Sequence, residues 1–144
     1  MFSRTCEYAI RALIYVAQKS KENTKCGIKE IAKGIDSPEY FIAKILQDLV
    51  RKRMLKSMKG PNGGFYLEEK DLNTSLADVV KEIDGDKLFT RCALGLRNCS
   101  NQFPCPLHEK YKFVRHDIKI MLETSVIGDF AEQLDSDLAF LKSH

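Results

Sequence analysis

Ile28-Lys29-Glu30-Ile31-Ala32-Lys33-Gly34, then Ser37-Pro38-Glu39-Tyr40-Phe41-Ile42-Ala43-Lys44-Ile45-Leu46-Gln47 running on to Lys52, then Met54 to Leu67 around Gly60-Pro61-Asn62-Gly63-Gly64, is the stretch that decides the fold. The first segment reads as a short helix ended near Gly34. Ser37 has the chemistry of a helix cap, and Pro38 suits a first turn. Ile42, Ile45, Leu46, Leu49 and Val50 recur at helical spacing, which predicts a second helix with one buried stripe. Met54 to Lys59 alternates apolar and polar residues, as a strand does. Gly60 to Gly64 is a tight turn, and Phe65-Tyr66-Leu67 returns as a second strand.

Helix, turn, helix and hairpin in that order is the layout of a winged helix-turn-helix, whose second helix enters the major groove of duplex DNA. With the stripe buried, the open face of that helix carries Glu39, Tyr40, Ala43, Lys44 and Gln47. Ser37 and the amides at the helix N-terminus are placed for a phosphate. Lys59, Gly60, Asn62 and Gly63 form the tip of the wing, where bare backbone approaches a phosphate or the minor groove closely and Lys59 adds charge. Taken singly, the glycines also fit a plain hairpin turn, and Tyr40 a half-buried aromatic. Charge supports the DNA reading: residues 1–67 carry a net +7 and residues 68–144 a net −4. Charge alone would also fit ordinary solvated lysines.

Outward from this module, Ala9, Ile10, Leu13, Ile14 and Ala17 predict an opening helix from about Thr5 to Gln18, followed by a polar loop over Lys19 to Lys25. Asn73-Thr74-Ser75 caps another helix with Leu76, Val79, Val80 and Ile83 on one face. Residues 90–106, with Gly95, Asn98, Ser100, Asn101 and Pro104, predict no regular structure, and a loop of that length in a small domain carries function or is disordered. Leu107 to Leu122 reads as a long helix with Tyr111, Val114, Ile118 and Leu122 on one face, and Thr124 or Ser125 begins a last helical stretch. The fold class expected is mainly α with a small β-hairpin wing. The expected organisation is 1–85 a winged helix-turn-helix DNA-binding domain, 86–108 a cysteine-bearing effector loop, and 109–144 a dimerisation helix with a helical tail. The 144 residues contain no apolar run long enough to span a membrane and no apolar leader, so the expectation is a cytoplasmic protein with no membrane partner.

Five cysteines stand at 6, 26, 92, 99 and 105, an odd number that argues against a disulfide scaffold. Cys92, Cys99 and Cys105 crowd into the irregular loop, with His108 just after them. Thiolates are soft ligands for zinc and for iron–sulfur centres. The gaps here are wider than the tight pairs of zinc fingers, which suits a [2Fe–2S] cluster. Zinc, a redox pair or free thiols remain open on spacing alone. Arg91 and Arg97 are placed to offset cluster charge. Cys6 and Cys26 read as small packed residues.

The chain resembles the IscR/NsrR/CymR family of bacterial winged-helix transcription regulators. Cys6-Glu7-Tyr8-Ala9-Ile10-Arg11-Ala12-Leu13 is similar to that family's opening helix, and Ile28 to Ala32 with Phe41 to Leu46 to its helix-turn-helix. Lys59-Gly60-Pro61-Asn62-Gly63-Gly64-Phe65 matches its wing pattern R/K-G-P-x-G-G-[FY], and Leu76 to Val80 follows in place. The resemblance implies a homodimer joined by the helix containing Tyr111 to Leu122, bound to a palindromic operator, usually as a repressor. In cluster-bearing members three cysteines of this loop hold a [2Fe–2S] cluster, which implies Cys92, Cys99 and Cys105. The fourth ligand implied is His108 by the IscR-like pattern, or Glu7 of the partner subunit by the nitric-oxide-sensing pattern. The first cysteine gap is one residue longer than in IscR, which weakens a direct transfer of IscR's iron–sulfur-assembly role and leaves cluster binding in place. The implied switch is a change at the cluster, caused by iron supply, nitric oxide or oxidant, that rearranges the loop and alters the spacing of the two reading helices.

Two rivals stand beside it. One is a cofactor-free regulator of the same fold, governed by a protein partner or by thiol oxidation. The other, an electron carrier or redox enzyme, rests on the cysteines alone, since no dinucleotide fingerprint, phosphate loop, paired catalytic carboxylates or metalloprotease motif is present. The expectation is a protein that is not an enzyme.

Overall fold

A computed structural model describes residues 1–134 and 138–142. The order is α1 (Arg4–Lys21), α2 (Ile28–Gly34), α3 (Glu39–Arg51), β1 (Lys56–Met58), β2 (Gly64–Tyr66), a 3-10 turn at Glu69–Asn73, α4 (Leu76–Asp84), α5 (Lys87–Thr90), α6 (His108–Thr124), α7 (Ile127–Leu134) and a final 3-10 turn at Leu138–Leu141. A mainly helical chain with a two-stranded antiparallel hairpin is what the sequence predicts.

α1 is the central beam. Ser3 caps it by accepting the Cys6 amide, Glu7 sits in the first turn, and Lys19 and Lys21 in the last, so both ends suit the helix dipole. From Ala9 to Gln18 every residue except Arg11 is buried, because α2, α3, α4 and α7 all pack around it. Cys6 and Cys26 lie wholly inside, as small packed residues should.

Between α2 and α3 the chain turns through Asp36 at φ 57°, the left-handed region where Asp is one of the few tolerated side chains. Ser37 does not cap α3. The cap position is Pro38, which receives no side-chain bond, and the Ser37 hydroxyl donates to the Pro38 carbonyl at 3.3 Å. The physical reason lies one bond back: the Ser37 amide is drawn onto the Ala32 carbonyl at 2.9 Å, which seals the end of α2 and turns the side chain away from the α3 amides. The buried stripe of α3 is otherwise as predicted, with Ile42, Ile45, Leu46 and Leu49 buried and Val50 half-buried.

The hairpin pairs Lys56 with Tyr66, Ser57 with Phe65 and Met58 with Gly64. Its first strand is shorter than the alternation predicts, because Leu55 is drawn into the core and leaves the ladder. A third segment joins from outside the hairpin. Cys26 and Phe65 exchange both backbone bonds, at 2.9 and 2.7 Å, and so tether the wing to the entrance of α2. Gly64 permits this: it sits at φ +138°, and a Cβ there would lie 2.9 Å from the Cys26 carbonyl oxygen.

Ser75 caps α4 by accepting the Asp78 amide, as expected. The chain then leaves the body through α5, a loop and α6, and returns. Leu76 donates to Ser125 at 2.8 Å and Ile127 to Thr74 at 3.0 Å, which seats α7 back against α1. Ile127 and Ala131 are buried there.

Candidate nucleic-acid interface and metal centre

α3 presents Tyr40 (75% exposed), Glu39, Lys44 and Gln47 to solvent, with Ala43 half-buried between them. None of these side chains has a hydrogen-bond or ion-pair partner among the described residues, so the face is uncommitted. At the helix start, Pro38 lacks an N–H, and Glu39 and Tyr40 have no carbonyl one turn earlier to receive theirs. Ser37 lies beside them, half-buried, with a hydroxyl lone pair still open.

Lys59, Gly60 and Asn62 are exposed at the wing tip and Gly63 is half-buried. The turn closes through Gly63 N–H to Gly60 C=O at 3.0 Å. Helix and wing enclose a cleft of about 330 Å³ lined by Gln47, Val50, Ser57, Met58, Lys59 and Phe65. Ser57 and Met58 were not singled out in the sequence, since nothing in a three-residue strand says which side faces the helix. The predicted DNA-facing residues therefore fall on α3 (Glu39, Tyr40, Ala43, Lys44), just before it (Ser37) and at the hairpin tip (Lys59, Gly60, Asn62, Gly63), with Lys59 lining the cleft opposite Gln47.

The second constellation is the loop between α5 and α6. The sulfurs of Cys92, Cys99 and Cys105 all lie within 4.8 Å of one another, and those of Cys92 and Cys105 are 3.6 Å apart. Two thiolates on one tetrahedral ion, with bonds of ~2.3 Å, stand roughly 3.8 Å apart, so the Cys92 and Cys105 sulfurs are close to the separation that one shared ion demands. The Cys105 amide donates to the Cys99 sulfur at 3.3 Å. His108 opens α6, and its Nδ1 lies 3.2 Å from the Cys99 sulfur, while Nε2 meets Asn101 Oδ1 at 2.9 Å. Glu7 lies exposed on α1 and joins no such group among the described residues.

Electrostatics divide the thiols. Backbone amides of Leu96 and Leu94 donate to Cys92 and, with bonds from Cys105 and Cys99, bring its pKa down to about 7. Cys99 moves the other way. The Cys105 amide favours its thiolate, but desolvation and the neighbouring thiols of Cys105 and Cys92 outweigh that and push it up. Cys92 is thus the thiol of this loop drawn toward its thiolate near neutral pH. The buried pair behaves differently: desolvation, then Asp84, pushes Cys6 up to about 12, and desolvation, then Glu30, pushes Cys26 higher still.

Both ends of the loop rest on α6. The exit runs straight into His108, and at the entrance Arg115 donates to the Arg91 carbonyl at 3.0 Å. α6 lies against α4 and α5 with Leu122 (1% exposed) and Ile118 turned inward. Its outer face carries Phe113 (63%), Val114 (52%), Ile120 and Met121 in the open. The stripe read from the sequence is therefore split: Ile118 and Leu122 serve the body, and Val114 belongs to the outer face.

A family model described as "Rrf2: Iron-dependent Transcriptional regulator" matches residues 2–133. The chain belongs to the Rrf2 family of transcriptional regulators. A putative HTH-type transcriptional regulator of Aquifex aeolicus is 32% identical over 132 residues, 90% of each chain. Among solved structures, CymR, the global cysteine regulator of B. subtilis, superposes with a TM-score of 0.76 at 20% identity, covering 92% of this chain and 97% of that one. T. potens IscR gives 0.71 at 19% identity, covering 95% and 90%. These two establish that the Rrf2 winged-helix fold is shared. Among the described residues no helix is long and apolar enough to cross a membrane.

Proposed function

We propose that this Rrf2-family regulator binds a palindromic DNA site as a homodimer, usually to repress, and that a [2Fe–2S] cluster held by Cys92, Cys99, Cys105 and His108 governs that binding. The observation that carries the reading is the gathering of three thiols within 4.8 Å of one another, with an imidazole beside one of them, on a loop both of whose ends rest on α6. The donor set fits the group: the sulfurs are soft, Cys92 is drawn toward its thiolate near neutral pH, and a nitrogen donor adjoins Cys99. A bound cluster would supply a centre sensitive to iron supply, nitric oxide and oxidant. His108 is favoured over the partner subunit's Glu7 as fourth ligand, because it is already beside Cys99.

The proposed division of labour is 1–85 for DNA, 86–108 for sensing and 109–144 for pairing. In the first part, Tyr40, Lys44 and their neighbours Glu39 and Ala43 read base edges, the start of α3 at Ser37 meets a phosphate, and Lys59, Gly60, Asn62 and Gly63 approach the backbone or minor groove. In the third, Phe113, Val114, Ile120 and Met121 form an apolar face of the kind that soluble proteins cover with a second copy. Arg115 and the loop exit transmit a change at the thiols to the first turns of α6. Two subunits then shift relative to half-sites roughly 34–36 Å apart.

Oxygen-free purification followed by an ultraviolet–visible spectrum with iron and sulfide analysis tests the reading. Broad visible absorption with iron and sulfide in equal ratio is expected. One zinc per chain in a colourless protein would replace the cluster by a structural ion. A second reading, thiol switching without a cofactor, is favoured by the 3.6 Å approach of the Cys92 and Cys105 sulfurs. It predicts a disulfide between these two after peroxide treatment, with DNA affinity following it.

A further inference from the structure

We infer that Asn101 is a positioning residue for the thiol site: its side-chain oxygen holds the His108 proton on Nε2 and so turns the Nδ1 lone pair toward Cys99. This rests on the proposal that the loop holds a metal centre with His108 as a ligand. A neutral imidazole has one N–H and one lone pair, and the nitrogen that meets an acceptor keeps the proton. Asn101 Oδ1 stands 2.9 Å from Nε2, and because an amide oxygen only accepts, this contact favours the proton on Nε2. The lone pair is then left on Nδ1, 3.2 Å from the Cys99 sulfur.

Both partners are fixed from the backbone. Asn101 rides on a turn closed at each end by Ser100, whose amide donates to the Phe103 carbonyl at 3.2 Å and whose hydroxyl accepts the Phe103 amide at 3.1 Å. His108 is held at the head of α6 by its amide bond to Cys105 at 3.0 Å. Outer partners of this kind orient a histidine ligand and raise its basicity, and their loss typically weakens metal affinity by ~10–100-fold.

The test uses the full-length chain with Asn101→Leu, which removes the acceptor at similar size, and Asn101→Asp, which keeps one. In the reduced, metal-free protein at pH 8, long-range ¹H–¹⁵N correlation reads the His108 tautomer. Nε2–H is expected in wild type and Asn101→Asp, and a mixture in Asn101→Leu. In protein loaded with iron and sulfide, pulsed electron paramagnetic resonance of the reduced sample should show a coordinated nitrogen in wild type and Asn101→Asp, weakened or lost in Asn101→Leu, with iron retention under chelator falling ~10-fold or more. An Nδ1–H tautomer in wild type, or wild-type nitrogen coupling and iron retention in Asn101→Leu, overturns the inference. Wild-type protein that takes up no iron sinks the cluster reading instead, while the tautomer measurement still decides what Asn101 does.

Discussion

Arg115, two turns into α6, donates to the carbonyl oxygen of Arg91 at 3.0 Å, one residue before the first cysteine of the loop. Because the loop exit is the head of the same helix, the loop is pinned at both ends to one rigid element. A change in its interior then has few ways to relax except by moving α6. Arg115→Ala should cost on the order of 1 kcal/mol of stability, the usual worth of such a bond. Its larger effect is expected on coupling: the ratio of operator affinities with and without the cluster should shrink toward one. Fluorescence anisotropy on one operator in both states measures that ratio, and an unchanged ratio would show that the pin transmits nothing.

The wing and the reading helix should fail in different ways. Lys59→Ala is expected to weaken binding to every duplex alike and to reduce the slope of log affinity against log salt by about 1, as the loss of one phosphate contact does. Tyr40→Ala and Lys44→Ala should instead change which bases are preferred, with little loss of stability because both side chains are exposed. Selection from a random duplex pool followed by salt titration separates the two patterns.

Gly64→Ala attacks the tether between wing and body. The φ of +138° disfavours any side chain, at about 1–3 kcal/mol, and the new methyl would press on the Cys26 backbone at 2.9–3.0 Å. Lower stability is expected together with loss of DNA affinity, while the Cys92 group stays intact. The denaturation midpoint, DNA binding and thiol count check it, and full DNA affinity in the variant would mean that the tether is dispensable.

How far the sequence reveals all this depends on range. The paired helices at 28–34 and 39–51, the hairpin and the three-cysteine loop are legible because their signals are local: a helical period, a glycine turn, a cluster of ligand types. The exchange between Cys26 and Phe65 and the return of α7 through Ser75 and Val126 are not, because pairing between distant segments leaves no period in either. The Ser37 cap misleads for a related reason. Its sequence context fits a cap, but the competing bond to Ala32 belongs to the preceding helix. Arg115 and Asn101 look like ordinary surface residues until the loop is folded.

The thiols make a pH prediction with a definite sign. Cys6 and Cys26 have folded-state pKa values raised above the ordinary 9. Their contribution to stability is complete below about pH 9 and is lost as pH climbs from there toward the folded values, because the unfolded chain releases protons that the folded one retains. The denaturation midpoint should therefore fall as pH rises above about 9, and fall less in Cys26→Ala. At pH 7, in reduced metal-free protein, iodoacetamide should label Cys92, lowered to about 7, ahead of Cys99, and should leave Cys6 and Cys26 unmodified. Peptide mass mapping over time gives the order, and early labelling of Cys26 would contradict its burial.

The central claim is that α3 and the wing grip duplex DNA under control of the loop between α5 and α6. Its most direct test is the affinity of one selected operator for protein loaded with iron and for the same preparation stripped of iron, at a fixed salt concentration and without oxygen. The account predicts specific binding in at least one state and a change of roughly 10-fold or more between them, the size of an ordinary allosteric coupling. Equal affinity in both states would contradict control by the loop, and no duplex binding in either, even at low salt, would contradict the grip itself.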